Sequence, residues 1–537
     1  MSDFSPDEQK RLSPFVSNMD TSVFVLKNLP QEVAGAVFSR YSRSEKSVRR
    51  LLLNEFLSAE ESGLTGLTTD TIFDDSVVRT EKARDFFGRI LAGYGDDSIG
   101  ELGGVHIAVE DISNIASKVI EDARIGISPL EKSTRYVRFD IKEGGKYKYY
   151  RDPEVMASRH APAYERANDR LFDTYVDLRE KMMEWVRAKW PQEPEESDRA
   201  YNAMTKAKAL DSIRGLLPAS TLTNVGLYGN GRAFEYLLTK MYASDLAEIR
   251  ELAAAMQVEL ETIIPSLVSR ANDERYGQAT QRFIRENRGI TKRLAEELAE
   301  NDAERAGSQE VTLLSYDPEA EPRVISAMAY GHSQHSLEQL HEAARRLSPE
   351  RRLELMKEFA ATRGNRRQRP GRGFENTQYE FDFVVNYGAY RDLQRHRMLS
   401  QDRQWLTANH GYDVPPAIIE AGYEEPFRQA MDQAAEAYRA ISQDLPEQAQ
   451  YVVPFGYRMR YRMTLSLREL YHLVELRSTP QGHPDYRRVA QEMYRKVKEV
   501  HPTLVEAMKF VDLSMNDEME RRASERKIDQ KLRKRQD

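Results

Sequence analysis

The densest cationic cluster in the chain is RDLQRHRMLSQDRQWL, from Arg391 to Leu406. Arginines grouped at a helix end, or in the loop that follows, can grip a pyrophosphate bidentately, which lysines do less well. On a helix Arg391 and Arg395 stand one turn apart and share a face, with His396 and Arg397 turned away. A solvent-facing basic stripe is the competing reading of these residues. There is no Walker-type loop and no G-x-G-x-x-G after a strand, so side chains would have to hold any nucleotide. A second group, EKSTRYVRFD, puts Glu131, Ser133 and Arg135 on one side of a strand, a trio suited to a small polar or phosphorylated ligand. An ordinary exposed strand face explains it equally well. His332, His335 and His341 lie close together, but no carboxylate stands at a ligand spacing, and no metal is expected.

The chain of 537 residues has no cysteine, which excludes disulfides, thiolate nucleophiles and Cys-ligated metals. Its 79 basic and 86 acidic side chains leave a net charge of −7, which argues against wrapping duplex DNA or coating an acidic membrane. No run approaches the roughly 18 apolar residues of a membrane span, and MSDFSPDEQKRLSPF lacks the plan of a secretory signal. A soluble, cytoplasmic protein is expected.

Helical signals dominate the elements that must position these residues. Ser44–Phe56, Ala163–Trp190, Ala243–Ile264 and Lys292–Ala306 read as amphipathic helices, and Gln339–Thr362 as two helices divided at Ser348-Pro349. Strands are expected at Ser22–Leu26, Gly104–Val109, Val311–Ser315 and Tyr379–Val385. The basic Arg363–Gly373 reads as a solvated loop, and the charged tail 516–537 as a solvated or frayed helix without chemistry of its own.

A weak internal repeat organises the chain. RGLLPASTLTNVGLYGNGRAFEYLLTKM around Pro218 parallels YVVPFGYRMRYRMTLSLRELYHLVELR around Pro454. In both, an arginine (Arg232, Arg468) follows the proline at the same interval, and Glu248-Ile249-Arg250 is matched by Asp485-Tyr486-Arg487. The expected architecture is α+β, with two homologous, helix-rich lobes at about 20–275 and 310–515, each with a small antiparallel sheet.

RHRMLSQDRQW resembles the signature of the flavin-dependent thymidylate synthases, in which Arg-His-Arg is followed after seven residues by serine and then arginine. IRGLLP…NGRAFEYLLTKM…AEIR and VVP…SLRELYHLVELR…DYR resemble that family's C-terminal helix, and GDDSIGEL…VEDIS…EKSTRYV its central segment. The resemblance implies FAD held by Arg395, His396, Arg397, Arg468 and His472 of the second lobe and by Asn230, Arg232 and Glu131 of the first. It implies dUMP held by Ser133, Arg135, Arg214, Arg395 and Arg477, with Arg477 also facing the uracil ring as the catalytic group. The expected reaction is reductive methylation of dUMP to dTMP, with methylenetetrahydrofolate as carbon donor and NADPH as reductant. The expected assembly is a homodimer of four lobes.

The departures from the family pattern are complementary. In the second lobe the signature serine and arginine are Trp405 and Thr407, the usual glutamine is Asp392, and the arginine before Pro454 is Gln450. In the first lobe the Arg-His-Arg triplet has become Asp122-Ala123-Arg124 or, allowing a one-residue insertion, Ala123-Arg124-Ile125, and the ring-facing arginine is Met241. The second lobe keeps the triplet and Arg477, while the first keeps the loop and Arg214. One complete site per chain is therefore expected, because random decay would not leave complementary halves. Trp405, Thr407 and Asp392 also motivate two competing readings. One is a flavin- or nucleotide-binding homologue without synthase activity. The other is a flavoenzyme acting on a different pyrimidine or a nucleic-acid uracil.

Overall fold

The computed structural model describes residues 4–42, 44–57, 83–84, 87, 97–194, 196–299, 309–514, 519 and 522–536. In chain order the elements used below begin with strand β1 (Gly104–Ser113), helix α1 (Asn114–Glu121) and strand β2 (Ile127–Glu131). Helices α2 (Ala161–Lys189) and α3 (Asp198–Ile213), strand β3 (Leu222–Asn230), and helices α4 (Gly231–Tyr242), α5 (Ala247–Glu261) and α6 (Ala279–Ala299) follow. The later part holds strands β4 (Val311–Tyr316) and β5 (Gln378–Asn386), helix α7 (Tyr387–Leu393) and strand β6 (Leu399–Arg403). Helix α8 (Glu424–Ser442), strand β7 (Arg458–Ser466) and helices α9 (Leu467–Arg477), α10 (Pro484–Val500) and α11 (Arg522–Gln536) complete it.

These elements form two compact units. The first comprises Met1–Asp111, Val119–Glu131 and Asn224–Ala303; the second comprises Ile112–Lys118, Lys132–Thr223 and Glu304–Asp537. The units do not follow the lobes at 20–275 and 310–515, because 132–223 packs with the later part of the chain.

The first unit is built on a sheet of order β1-β3-β2, with β2 antiparallel to β3 from Ile127↔Gly229 to Glu131↔Val225. Gly229 lets the strands and α4 approach: a Cβ there would lie 2.9 Å from the Phe234 ring and 3.1 Å from Ile127. Asn230 ends the strand and caps α4, its Oδ1 accepting from Ala233 N at 2.8 Å.

The second unit contains a sheet of order β4-β5-β7-β6, antiparallel throughout. Along β7 the pattern is period two: Met459, Tyr461, Met463 and Leu465 are buried, while Arg458, Arg460 and Arg462 alternate with them. The 29-residue α2 buries Leu171, Tyr175, Leu178, Met182 and Val186 at helical spacing and packs against α3 and α8.

The repeat is visible in the topology. The order β5-β7-β6 reproduces β1-β3-β2, and the strand-to-helix steps β1–α1 and β3–α4 recur as β5–α7 and β7–α9. Within the second unit the two proline segments pair antiparallel, with Pro218 opposite Pro454. Ala219 N donates to Val453 O at 2.9 Å, Ser220 N to Tyr451 O at 2.8 Å, Phe455 N to Leu217 O at 2.9 Å and Gly456 N to Gly215 O at 2.9 Å. Equivalent residues facing each other in this way make the self-complementary contact of a two-fold dimer, here inside one chain.

Several expectations are met and others corrected. Leu337–Arg345 and Pro349–Thr362 are separate helices, and Ser348 caps the second. Ser22–Leu26 makes only the bridge Val16↔Leu26, because no neighbouring strand pairs with the rest of it among the described residues. The helix expected at Lys292–Ala306 begins earlier, at Ala279; residues 300–308 lie outside the described residues, as do Gly95 and Asp96. The strand expected to carry Glu131, Ser133 and Arg135 stops at Glu131, and 132–137 turns instead. Helix α7 ends at Leu393, so Arg395 does not continue a face with Arg391. The loop 363–373 is largely exposed, as expected, but its start is anchored: Arg363, 2% exposed, makes a bidentate pair with Glu475 at 2.8 and 2.7 Å. Helix α11 docks as well, with Arg199 Nη2 2.6 Å from Asp529 and Arg522 Nε 2.7 Å from Glu196. Among the described residues no helix is long and apolar enough to cross a membrane.

Candidate functional site

Arginines from distant parts of the chain converge within the second unit. The turn after β2 carries Ser133, whose Oγ accepts from Arg135 N at 3.2 Å. Arg135 forms a two-bond pair with Asp211, Nε–Oδ1 2.9 Å and Nη2–Oδ2 2.7 Å, and its Nη1 donates to Tyr486 Oη at 3.2 Å. Burial opposes its charge, but Asp211 outweighs burial and keeps the guanidinium ionised. Arg214 follows α3 and is 3% exposed. Arg477 closes α9, where a cation also complements the carbonyl end of the helix.

The residue these arginines surround is Asp392, on α7. Its carboxylate lies 3.5 Å from Arg214 Nη1 and 4.0 Å from Arg477 Nη1, at ion-pair rather than hydrogen-bond distance. Burial works against its charge, yet Arg214, Arg477, Arg135 and Arg395 together hold the carboxyl below the usual range. A signature position that is an amide in the resembling family is thus a resident anion here. Arg214 Nη2 is buried without a hydrogen-bond partner and lies beside Gly388, where a Cβ would stand 3.4 Å away. Arg214 also lines a cavity of about 460 Å³, together with Asp211, Gly388, Phe455, His483 and Asp485.

Behind Arg477 runs a second polar chain. Arg477 Nε donates to His396 Nε2 at 3.0 Å, and His396 Nδ1 lies 2.8 Å from Glu469 Oε1. Burial, with Arg477 and Arg369 nearby, pushes His396 well below its ordinary value, and burial raises Glu469. Burial also pushes His472 down to about 4, against the pull of Glu469. Arg369 Nη2 is 3.3 Å from His472 Nε2, and Arg468 donates to Glu375 Oε1 and Pro370 O, both at 2.8 Å.

The residues assigned by resemblance therefore divide into groups. Ser133, Arg135, Arg214, Arg395, His396, Arg397, Arg468, His472 and Arg477 all lie in the second unit; Glu131, Asn230 and Arg232 lie in the first. Arg395 and Arg397 are exposed on the turn between α7 and β6, and His472 and Arg468 share a face of α9. This cationic donor set suits an anionic cofactor such as FAD. His396 is the exception, because both ring nitrogens already have protein partners. In the first unit Asn230 and Arg232 line a cavity of about 810 Å³ with Gly126, Tyr236 and Arg270, and Arg232 pairs with Glu101 at 2.7 Å. Glu131 is buried in β2.

The substituted positions have structural occupations. Gln450 Oε1 accepts from Leu406 N at 3.1 Å, Met241 is fully buried, and Trp405 is 42% exposed. Sequence reasoning missed Asp211, Tyr486 and Glu469. Asp211 alone had a usable signal, as an acid one helical turn before Arg214.

Residues 50–266 and 312–503 each match the family described as thymidylate synthase complementing protein. The chain belongs to that family, in a tandem, double-length form. A UPF0159 protein of Chlamydia muridarum is 43% identical over 517 residues, covering 96% of this chain and 97% of its own. A flavin-dependent thymidylate synthase of Sulfurisphaera tokodaii is 31% identical over 142 residues, 24% of this chain and 54% of its own. Among solved structures, a UMP/dUMP methylase of Streptomyces cacaoi bound with 5-Br dUMP aligns with a TM-score of 0.30 and 19% identity, covering 38% of this chain and 96% of that one.

Proposed function

We propose that the protein is a flavin-dependent thymidylate synthase that methylates dUMP reductively to dTMP, with methylenetetrahydrofolate as carbon donor and NADPH as reductant. The observation that supports this most is the convergence of Arg135, Arg214, Arg395 and Arg477 on one locus of the second unit, from both repeats. Counting Asp211, Asp392 and Asp485 against these four guanidiniums still leaves the locus net positive, which favours an anionic ligand. Arg135 and Arg214 would hold the phosphate, and Arg477 would face the pyrimidine and stabilise charge developing on it. Such a preorganised donor is worth about 3–4 kcal/mol in a site closed to water. FAD, held by Arg395, Arg397, Arg468 and His472, would supply the hydride. The missing cysteine fits, since the thiol route to thymidylate needs a nucleophile this chain lacks.

The test separates the two arginine roles. Arg477→Ala should abolish tritium release from C5-labelled dUMP while flavin absorbance remains, and Arg397→Ala should lose the flavin. Wild-type turnover by Arg477→Ala would refute the assignment. Asp392 favours a second reading, in which the resident anion adapts the site to a different pyrimidine or leaves a binding protein without synthase activity. Bound flavin without tritium release would favour the binding protein. Release from another uracil compound alone would favour the altered substrate.

A further inference from the structure

The contact between Arg477 and His396 fixes more than a distance. An arginine Nε can only donate, so the His396 Nε2 that it reaches at 3.0 Å must present its lone pair. The ring proton then resides on Nδ1 and is donated to Glu469 Oε1 at 2.8 Å, with Glu469 as the accepting carboxylate. The His396 and Glu469 side chains are 2% and 6% exposed, so water does not compete for these bonds. Glu469 and Arg477 lie in the first and last turns of α9, and His396, from the turn after α7, bridges them. The bridge takes Arg477 through its Nε edge and leaves the Nη edge directed to Asp392, while the Tyr486 ring stands 5.5 Å from Arg477 Cζ.

We propose that His396 and Glu469 are positioning residues that lock the guanidinium plane of Arg477, and that His396 is not a flavin ligand. The proposal rests on the reading of Arg477 as the pyrimidine-facing group. It also decides against a metal at this place. His396, Glu469 and His472 bring ligand atoms within 4.8 Å of one another, but the His396 ring has no lone pair left to give. Arg369 and Arg477 add positive charge beside it, which a divalent cation would have to overcome.

The tautomer is measurable without substrate or turnover. In full-length protein labelled with ¹⁵N-histidine, His396 should show a protonated Nδ1 and an unprotonated Nε2, unchanged from pH 8 to pH 5.5 and on addition of zinc. An Nε2–H tautomer, protonation near pH 6.5, or a zinc-induced shift would overturn the proposal. His396→Leu should weaken dUMP binding at least tenfold while flavin absorbance stays. His396→Gln, whose amide can accept from Arg477 and donate to Glu469, should recover most of that binding. Adding His396→Leu to Arg477→Ala should bring no further loss. Flavin loss in His396→Leu with nucleotide binding intact would also overturn the proposal. If wild-type protein binds no dUMP, the functional reading fails, and the tautomer measurement still decides the proposal.

Discussion

Asp392 decides how the arginine locus behaves. With Arg214 and Arg477 as loose ion-pair partners, its carboxylate competes with any incoming anion for the same guanidiniums. Asp392→Asn should therefore bind inorganic phosphate and dUMP several-fold more tightly, with a steeper salt dependence, by calorimetry. The same change removes the ion-pair partner of the buried Arg214 and should cost about 1–3 kcal/mol in urea unfolding. Unchanged phosphate affinity would show that Asp392 does not stand in the anion's path. Because the folded carboxyl is held below its unfolded value, its stabilisation is present above about pH 4 and fades as pH falls through the folded value.

At the scale of elements, α9 carries Arg468, Glu469, His472 and Arg477, so its anchoring matters to every role assigned there. Its inward Glu475, 1% exposed, depends on Arg363. Arg363→Ala should cost about 3–5 kcal/mol, read as a lowered urea midpoint, because an ion is left buried alone. The helices were largely legible, since α2 and the pair around Ser348 carry period and caps in plain view. Strand β3 was not: Gly226 and Gly229 lower its strand propensity, and only tertiary packing overrides that. Strand β7 was legible in principle, but its outward arginines masked the alternation of Met459, Tyr461, Met463 and Leu465. The site was readable as a set of arginines through the resemblance. Its wiring was not, because Arg135 meets Tyr486 and His396 meets Arg477 across long stretches of chain, where no periodicity connects them.

The molecule as a whole gathers depressed histidines in its second unit. His396, His472 and His483 are all held below the ordinary value, mainly by burial. The unfolded chain takes up protons at these residues below about pH 6.5 while the folded chain does not, so stability should decline as pH drops from about 6.5. Thermal unfolding followed from pH 7.5 to pH 5 checks this; a flat profile would contradict the shifts. We also propose that two chains associate to give four lobes. Light scattering of flavin-loaded protein should give twice the chain mass, and a monomer with flavin bound would exclude that assembly.

The antiparallel meeting of Pro218 and Pro454 has a genetic meaning as well as a mechanical one. Between separate chains this contact would be an equilibrium that dilution dissolves; within one chain it is an intramolecular closure at an effective concentration set by the tether. Its two halves are always made in equal number, whatever the expression level. In a symmetric dimer every substitution appears twice, on both sides of the axis, so no residue can be kept on one side and given up on the other. Here each substitution appears once. Arg477 and its counterpart Met241 could part company only after that constraint was lifted.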